Sequence, residues 1–407
     1  MHKIISLYTG AGGLDLGLEA AGFETTIAVE INKWACATLY HNRPNWNSQH
    51  IDIHDLRSED IQKIGGLGND EPSLLIGGPP CQPFSKAAYW SKGDTKRLND
   101  PRADTLTAYL RVLKDLKPRA FLMENVFGIT YKGKDEAIKL LKSIIKKINN
   151  EEGTCYNFNV GILNAADYGV PQIRERVFII GSRDGIDFRF PEPTHNNPEI
   201  EVNSLFPLEP WRTAWDAIGD LNSEKHNDLS VTGKWANLLP SIPEGKNYLH
   251  HTNRGEGLPL FGWRTRYWSF LLKLAKNKPS WTIQAQPGSA IGPFHWDNRR
   301  LSTRELCRLQ TFPDEYEIMG GRTEVQRQLG NAVPCLIGEI LGKEIRRQYF
   351  NDKLNVPLKF LPAVNRTPFK THPVQPVQND YLNLLGDYKD HPGTGKGPQA
   401  LANLKMN

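Results

Sequence analysis

The sequence predicts an α/β fold in which a parallel sheet is covered by helices. Short apolar runs of strand length recur over residues 3–181, stretches with helical spacing lie between them, and the runs have no polar face. Strands that are apolar on both faces occur in sheets buried beneath helices. Ligands bind such sheets at the carboxyl ends of the strands, so residues at those ends are the first candidates for a functional site.

The predicted elements follow one another in order. Two stretches carry apolar residues at helical spacing and predict helices before and after the fourth strand. The predicted strands are KIISLY (3–8), TTIAVE (25–30), SLLIGG (73–78), AFLMEN (120–125) and RVFIIG (176–181). The helical stripes are Leu106, Tyr109, Leu110 and Leu113, then Ile138, Leu141, Ile144, Ile145 and Ile148.

The amino-acid composition of the chain changes after about Arg183. Residues 184–278 are rich in Pro, Asn, Gly and Trp, and seven of the ten tryptophans fall between Trp211 and Trp296. We therefore predict a first domain over 1–184, an inserted second domain over 185–278, a return to the first domain over 279–350, and an extended or disordered extension over 351–407.

Regular patterns resume in the returning segment. Within RRLSTRELCRLQTFPD (299–314), Ser302 or Thr303 could cap a short helix that Pro313 ends. The stretch VPCLIGEILGKEIRRQYF (333–350) predicts a last helix that packs back on the first domain.

Composition is that of an ordinary globular protein, with 39% hydrophobic and 23% charged residues. Five scattered cysteines without a C-x-x-C pair argue against a disulfide framework and a structural zinc site, and we expect no metal. No apolar run approaches the ~18 residues of a membrane span or forms a signal peptide, so we expect a cytoplasmic protein without membrane contact. The net charge of +5 is compatible with a polyanionic partner but is common in other proteins.

A glycine-rich turn joins the first strand to a helix in YTGAGGLDLGLEAAGF (8–23). Glycine backbone and helix amides can approach a nucleotide-like cofactor there, although such a turn can equally be a tight connection. Glu30 ends the second strand about twenty residues later, where an acidic side chain commonly binds ribose hydroxyls, the alternative being a surface carboxylate. Asp52 in HIDI (50–53) is a candidate for contacting an adenine.

Cys81 lies in GGPPCQPFS (77–85), directly after an apolar strand. A cysteine is nucleophilic as its thiolate, and its free pKa of about 8.5 must be lowered or offset by a positive field. Prolines on both sides fix the direction of the sulfur. Structural cysteines usually lie among aliphatic side chains, so packing explains this position poorly.

Glu124 and Asn125 end the apolar strand FLMENV (121–126). A carboxylate beside the end of the Cys81 strand would be desolvated and its pKa raised, as an acid that protonates or hydrogen-bonds a ring nitrogen requires. The alternative is a strand-end glutamate in solvent.

The stretch QIRERVFIIG (172–181) places Gln172, Arg174 and Arg176 on one side of an extended segment. Two arginines that face a cleft suit phosphate or carbonyl contacts. They could equally be a solvated strand edge.

These motifs, in this order, resemble the DNA (cytosine-5) methyltransferase family, from about Lys3 to about Tyr349. The blocks are the GAGG turn, GGPPCQPFS, MENV, QIRERVFIIG, RRLSTRELCRLQTFPD and QLGNAVP (328–334). The resemblance implies a Rossmann-like, S-adenosylmethionine-dependent methyltransferase sheet with helices on both faces and a smaller inserted target-recognition domain. Tyr8 departs from the family's usual Phe, and HIDI lacks the usual Gly before the acidic residue.

The resemblance also implies residue roles. Cys81 would attack C6 of a cytosine flipped out of duplex DNA, Glu124 would engage N3 and the exocyclic amine, and Arg176, with Arg174, would hold the O2 side. The implied DNA contacts outside the second domain are Ser85, Arg102 and Gln172. The implied site for S-adenosyl-L-methionine comprises Tyr8, Gly10, Gly12, Gly13, Leu14, Glu30, Ile31, Asp52, Ile53, Pro79, Asn331 and Ala332.

The family's target-recognition domain precedes the RRLS block. Here that region contains HHTNRGEGLPLFGWRTRYWSFLLK (250–273), which combines cations with aromatic rings. Arginine pairs with guanine in the major groove and with phosphates, so Arg254, Arg264 and Arg266 are our candidates for DNA contact. The alternative is a small aromatic core with a basic rim, and we assign Trp281 and Thr282 to a hinge between the domains.

The leading hypothesis is a monomeric enzyme that methylates C5 of cytosine in double-stranded DNA, paired with a restriction endonuclease. A tRNA-methylating enzyme would share the cysteine motif, but that branch does not need a segment as long as 185–278. A catalytically silent cofactor-binding or DNA-binding regulator would need neither Cys81 nor Glu124.

Overall fold

All five predicted strands form in the structure, a computed structural model that describes residues 2–68, 71–80, 104–126, 136–200, 207–223, 229–286 and 288–386. The strands are β1 (His2–Leu7), β2 (Phe23–Glu30), β3 (Ser48–His50), β4 (Leu74–Gly77), β5 (Ala120–Val126), β6 (Asn157–Asn164), β7 (Gln172–Ile173), β8 (Glu175–Ser182), β9 (His195–Asn196), β10 (Glu209–Pro210) and β11 (Ser280–Trp281). The α-helices are α1 (Gly13–Ala20), α2 (Lys33–Asn42), α3 (Ser58–Ile64), α4 (Asp104–Leu116), α5 (Glu136–Glu152), α6 (Ala214–Ile218), α7 (Thr303–Leu309), α8 (Arg322–Asn331) and α9 (Cys335–Tyr349).

Seven strands form one sheet in the order β3-β2-β1-β4-β5-β8-β6. Strands β1 to β5 are parallel, as predicted. Strand β8 is antiparallel to both β5 and β6, so the expectation of a fully parallel sheet is wrong there. Residues 165–174, which join β6 to β8, are fewer than the dozen or so that a parallel crossover requires.

Each face of the sheet carries its own hydrophobic core, because successive strand residues point to opposite faces. Ile4 of β1 packs in one core with α1 and α9, whereas Ile5 packs in the other with α4 and α5. The predicted helical stripes supply this second core with Leu106, Tyr109, Leu110, Leu113, Leu141, Ile145 and Ile148. Helices cover both faces, as predicted.

Helix α9 returns to the first strands and packs against α1, as expected for the last helix. The two backbones approach closely at Gly17, where a Cβ would lie 2.3 Å from the carbonyl oxygen of Cys335. At Gly13 a Cβ would lie 2.2 Å from the carbonyl oxygen of Val333. The segment before α9 is thereby held against the glycine-rich turn.

Helix α7 begins after Ser302, one of the two predicted caps. Its hydroxyl accepts a hydrogen bond from the backbone N–H of Glu305 at 3.2 Å, and the Glu305 carboxylate accepts one from the Ser302 N–H at 2.7 Å. This reciprocal capping box fixes the start of the helix. The helix ends at Leu309, before Pro313.

A third hydrophobic cluster lies apart from the sheet. It consists of Leu238, Leu239, Ile242, Tyr248, Leu260, Phe261, Phe270, Leu271, Ala290, Phe294 and Tyr381. Phe188, Ala214 and Ile218, which lie within the predicted second domain, pack instead in the core with α1 and α9. The domain boundaries at 185 and 278 stay a prediction. Strand β11 returns the chain to the sheet side by pairing with β7.

The C-terminal segment, which we define as residues 351–386, is extended apart from a 3₁₀ turn at Asn379–Leu384. It is packed on the protein, with Phe360 and Tyr381 buried. Residues 387–407 of the predicted extension lie outside the described residues. Within the described ranges, no helix is both long and apolar enough to cross a membrane.

Candidate active site

A cavity of about 340 Å³ opens where the carboxyl ends of β1, β2, β4 and β5 meet. This is the edge of the sheet at which the sequence predicted a site. The predicted site residues that line the cavity are Tyr8, Gly10, Gly13, Leu14, Glu30, Ile31, Pro79, Glu124, Arg176, Asn331 and Ala332.

The glycine-rich turn forms one wall. Gly10 and Gly12 have φ angles of 58° and 79°, which glycine adopts at little cost. A Cβ on Gly10 would have no atom within 4 Å, whereas one on Gly12 would lie 2.9 Å from side-chain atoms of Leu39 and Trp46. Gly10 thus presents bare backbone to open space, and Gly12 permits the turn to pack on the protein.

Glu30 braces this turn from the end of β2. One carboxylate oxygen accepts a hydrogen bond from the backbone N–H of Gly10, and the other accepts one from the N–H of Asn32, both at 2.8 Å. A carboxylate oxygen has room for a further hydrogen bond. Glu30 can therefore hold the turn and still accept hydroxyl groups from a ligand.

Glu124 and Arg176 form an ion pair at the other end of the cavity, with Arg176 Nε 3.0 Å from Glu124 Oε1. The side chains are 13% and 17% exposed. Burial raises the pKa of Glu124 above its ordinary value, although Arg176 and Arg174 act to lower it. This is the direction that the sequence predicted for an acid at this position.

The segment Gly77–Pro80 lies beside this pair. A Cβ on Gly78 would be 3.2 Å from Glu124 Oε2, and the side chain of Asn125 donates to the carbonyl oxygen of Pro79 at 3.1 Å. These contacts bring the ends of β4 and β5 together. Pro80 lines the cavity, and Cys81, its neighbour in sequence, lies outside the described residues, as do Ser85 and Arg102.

Of the three alternating side chains in QIRER, Arg176 alone lines the cavity. Arg174 is buried and donates to the carbonyl oxygen of Gly330 at 2.8 Å. Gln172 is buried, donates to the carbonyl oxygen of Leu309 at 3.1 Å and accepts from the N–H of Ile283. Gln172 thus binds protein backbone here, and its DNA contact stays a prediction.

Three predicted cofactor residues lie outside the lining. Asp52 accepts a hydrogen bond from the N–H of His54 at 3.0 Å and caps a 3₁₀ turn, while Ile53 is buried. Gly12 supports the turn from behind, as described above.

Several lining residues were missed by the sequence analysis. Asn32 caps α2 by accepting hydrogen bonds from the N–H groups of Trp34 and Ala35, and its position just after Glu30 and before a helix was an available signal. Arg327 lies one turn before Asn331 on α8. Asp15 is buried, and burial raises its pKa to about 7, an effect that no local pattern reveals.

Cations and aromatic rings meet on the surface of the third cluster. The guanidinium groups of Arg254 and Arg264 lie 5.0 Å and 5.8 Å from the ring centre of Trp263, and that of Arg266 lies 5.8 Å from the ring centre of Phe270. Phe270 is buried in the aromatic cluster and the three arginines are exposed at its edge, so this stretch forms a small aromatic core with a basic rim. Contact of these arginines with DNA stays a prediction.

Two tryptophans connect this rim to the two-stranded sheet formed by β11 and β7. Trp268 is exposed and packs edge to face on Trp281, with ring centres 5.4 Å apart. Trp281 lies in β11, paired with Ile173, three residues before Arg176. The basic rim therefore adjoins β7, the short strand that directly precedes β8 and its Arg176.

A family model described as C-5 cytosine-specific DNA methylase matches residues 2–347. The chain is 38% identical over 368 residues to the Type II methyltransferase M.SacI of Streptomyces achromogenes, covering 85% of this chain and 93% of that protein. It is 36% identical over 342 residues to the Type II methyltransferase M.NgoFVII of Neisseria gonorrhoeae, covering 82% and 83%.

Solved structures share the fold. A crystal structure of a putative DNA modification methyltransferase encoded within an E. coli prophage matches with a TM-score of 0.58 and 25% identity, covering 86% of this chain and 100% of that one. The structure of Spodoptera frugiperda DNMT2 matches with the same TM-score and coverage at 18% identity, a likeness of fold alone.

Proposed function

Because the chain belongs to the family of C-5 cytosine-specific DNA methylases, we propose that it methylates one cytosine within a short duplex sequence and so protects that sequence in a restriction-modification system. The chain is a DNA (cytosine-5) methyltransferase, and its methyl donor is S-adenosyl-L-methionine. The identity of the residues that act, the covalent step and the partner endonuclease are the proposal.

The cavity fits such a donor by the chemistry of its walls. S-adenosyl-L-methionine supplies an electrophilic methyl group when bound. The open backbone at Gly10 and the spare acceptor capacity of Glu30 suit a ligand that has hydroxyl groups and a polar tail. Tyr8, Ile31, Asn331 and Ala332 complete the wall on the sheet side and the α8 side.

Glu124 and Arg176 hold the target base. A flipped cytosine exposes N3, the exocyclic amine and O2 to side chains that cannot reach them in the stack. Glu124 engages N3 and the amine, and Arg176, 3.0 Å from it, donates to O2. Burial raises the pKa of Glu124, the direction that favours donation of a proton to N3 and so stabilises the charge that develops in the ring.

Cys81 is the proposed nucleophile. Its thiolate bonds to C6, and the ring electrons displaced toward N3 and C5 make C5 able to take a methyl group. As the methyl group bonds to C5, the donor's sulfur leaves with the bonding electron pair as a neutral thioether. A water molecule or another base then takes the C5 proton, and the freed electron pair expels the Cys81 thiolate from C6, which restores the aromatic ring. The described wall reaches Pro80 beside Glu124, which supports this assignment.

Base reading is proposed for the rim of the third cluster, as the target-recognition region. Arg254, Arg264 and Arg266 supply charge for phosphates and guanine edges. Trp268 and Trp281 are exposed aromatic side chains beside this rim.

The observation that carries the proposal is that the Glu30 turn and the Glu124–Arg176 pair share one cavity. Purified protein is incubated with labelled S-adenosyl-L-methionine and unmethylated genomic DNA, with tRNA in parallel and Cys81→Ala protein as control, and 5-methylcytosine is mapped by sequencing. We expect the wild-type protein to label DNA at one short recurring motif and the Cys81→Ala protein to leave the DNA unlabelled.

Other outcomes contradict the proposal. Label confined to tRNA would move the substrate to RNA, and cofactor binding without any transfer would indicate a silent binder. The protective role is tested separately: plasmid DNA from cells that express the protein should resist an endonuclease that cuts at the mapped motif, and cutting of that plasmid would contradict protection.

A further inference from the structure

The C-terminal segment, residues 351–386, lies beyond the family match at 2–347 yet contacts both the sheet cores and the third cluster. A segment without tertiary contacts is commonly poorly ordered. Each portion of this segment instead contacts a defined part of the protein. The first portion contacts the sheet and its covering helices, and the last contacts the third cluster.

The first portion is fixed to the sheet side. Glu339 of α9 is fully buried, and its carboxylate accepts hydrogen bonds from the N–H groups of Lys359 at 2.8 Å and Phe360 at 3.0 Å. Phe360 packs in the core with α1 and α9. A buried carboxylate is stable when it is hydrogen-bonded, so this contact fixes the backbone of the segment firmly.

The middle portion crosses α6. The N–H of Asn365 donates to Asp216 at 2.7 Å, and the indole N–H of Trp215 donates to the carbonyl oxygen of Thr367 at 2.9 Å. The ring of Phe369 packs on Trp215, with centres 5.2 Å apart.

The next residues reach the third cluster. The N–H of His372 donates to Glu244 at 2.9 Å, and Glu244 pairs with the buried Lys276 at 2.6 Å. The N–H of Gln375 donates to the carbonyl oxygen of Pro240 at 3.1 Å.

Tyr381 ends this path inside the third cluster. Its ring stacks on Trp235 at 6.0 Å with a 16° angle between planes, and its hydroxyl donates to the carbonyl oxygen of Lys234 at 2.8 Å. Trp235 packs in turn on Phe270 at 5.6 Å, and Phe270 lies under the guanidinium group of Arg266. Three ring contacts thus lead from the C-terminal segment to the basic rim.

We infer that the C-terminal segment positions the DNA-reading rim over the catalytic cavity, with Tyr381 as a positioning residue for Arg266 and its neighbours. The inference rests on the proposed function of the rim. Since the segment is packed both on the sheet side, through Phe360, and in the third cluster, through Tyr381, it limits how far the rim can move from the paired strands β11 and β7. A binding surface that is already ordered loses less conformational entropy when it binds. The segment therefore favours DNA binding, and we expect it to have no effect on binding of the cofactor.

The test uses the full chain and a duplex that carries the mapped motif. Tyr381→Ala should raise the KM for DNA between about twofold and about thirtyfold, with kcat at saturating DNA and the Kd for S-adenosyl-L-methionine unchanged. Tyr381→Phe keeps the stacked ring and should restore most of the DNA affinity. Leu385→Ala, at an exposed position of the same segment, is the matched control and should behave as wild type.

Phe369→Ala provides a second variant whose ring is already 39% exposed, so folding is retained if Tyr381→Ala misfolds. It should raise the KM for DNA in the same way. Unchanged KM in the folded variants, or equal losses of kcat and cofactor binding, would overturn the inference. Absence of DNA methylation by the wild-type protein would instead contradict the proposed function, so the two failures are distinguishable.

Discussion

The pair formed by Glu124 and Arg176 determines the expected pH dependence of the chemical step. Burial raises the pKa of Glu124, so its carboxyl stays protonated to higher pH than an ordinary glutamate. If that proton serves N3 of cytosine, the rate is full below the raised pKa and falls as pH rises through it. The descending limb of the pH–rate profile that is due to Glu124 should therefore have its midpoint above the ordinary glutamate pKa of 4.5.

Glu124→Gln keeps the shape of the side chain but cannot exchange a proton. We expect the single-turnover rate to fall by about 10²- to 10⁴-fold and the descending limb to vanish, as measured by rapid-quench methylation across pH. Glu175→Gln, at an exposed neighbour of Arg176, should keep the wild-type profile. A descending limb that persists in Glu124→Gln would assign the titration to another group.

Glu30 offers a test of the cofactor wall. Glu30→Ala removes the acceptor for the N–H groups of Gly10 and Asn32 and the one proposed for ligand hydroxyls. Hydrogen bonds to charged groups contribute about 1.5–3 kcal/mol, so the Kd for S-adenosyl-L-methionine should rise about 10- to 100-fold in calorimetric titration. Glu24→Ala, an exposed position on the same strand, should bind normally. Normal binding by Glu30→Ala would contradict the assignment.

At the scale of elements, the contact between α1 and α9 depends on glycine. A Cβ at Gly17 would lie 2.3 Å from the carbonyl oxygen of Cys335 and 2.4 Å from the N atom of Glu339, so backbone must move to admit it. Gly17→Ala should lower the free energy of unfolding by about 1–3 kcal/mol, measured by urea denaturation. Gly321→Ala, where a Cβ would meet no atom within 4 Å, should have little effect. Equal stability of the two variants would mean that the helices can separate at no cost.

Elements could be predicted from sequence where local pattern determines them. The strands that carry Ile5 and Phe121 are buried on both faces and appear as continuous apolar runs. Strand β6 was missed because it lies at the sheet edge, where Val160 and Ile162 are exposed and polar residues alternate with apolar ones. The direction of β8 depends on the length of its connection, which an apolar run does not encode.

The sequence could predict those site residues that lie where neighbouring strands end, because such residues meet at one edge of the sheet. Glu30 and Glu124 line one cavity because parallel strands bring their carboxyl ends to one edge, and Arg176 reaches the same edge because the antiparallel strand β8 begins there. Gln172 shares the alternation of Arg176 but is covered by the backbone at Leu309. Burial of that kind arises from distant segments, so the period of two along the strand could not distinguish the two side chains.

At the scale of the whole molecule, the basic rim should dominate the salt dependence of DNA binding. Each phosphate contact contributes about 0.9 to the slope of log K against log salt. Replacing Arg254, Arg264 and Arg266 together by Ala should reduce that slope by up to about three, measured by fluorescence anisotropy at several salt concentrations. Arg57→Ala, on the sheet side and 73% exposed, should leave it unchanged. An unchanged slope in the triple variant would show that other residues contact the DNA phosphates.

In the proposed mechanism, one cavity brings a flipped cytosine to Glu124, with Cys81 as the nucleophile. A duplex with 5-fluorocytosine at the mapped position tests it most directly, since C5 then carries no proton to lose and the bond to sulfur persists. We predict a covalent protein–DNA complex stable to denaturing electrophoresis, dependent on S-adenosyl-L-methionine, slower with Glu124→Gln and absent with Cys81→Ala. A complex that forms equally well with Cys81→Ala, or none with the active wild-type protein, would contradict the claim.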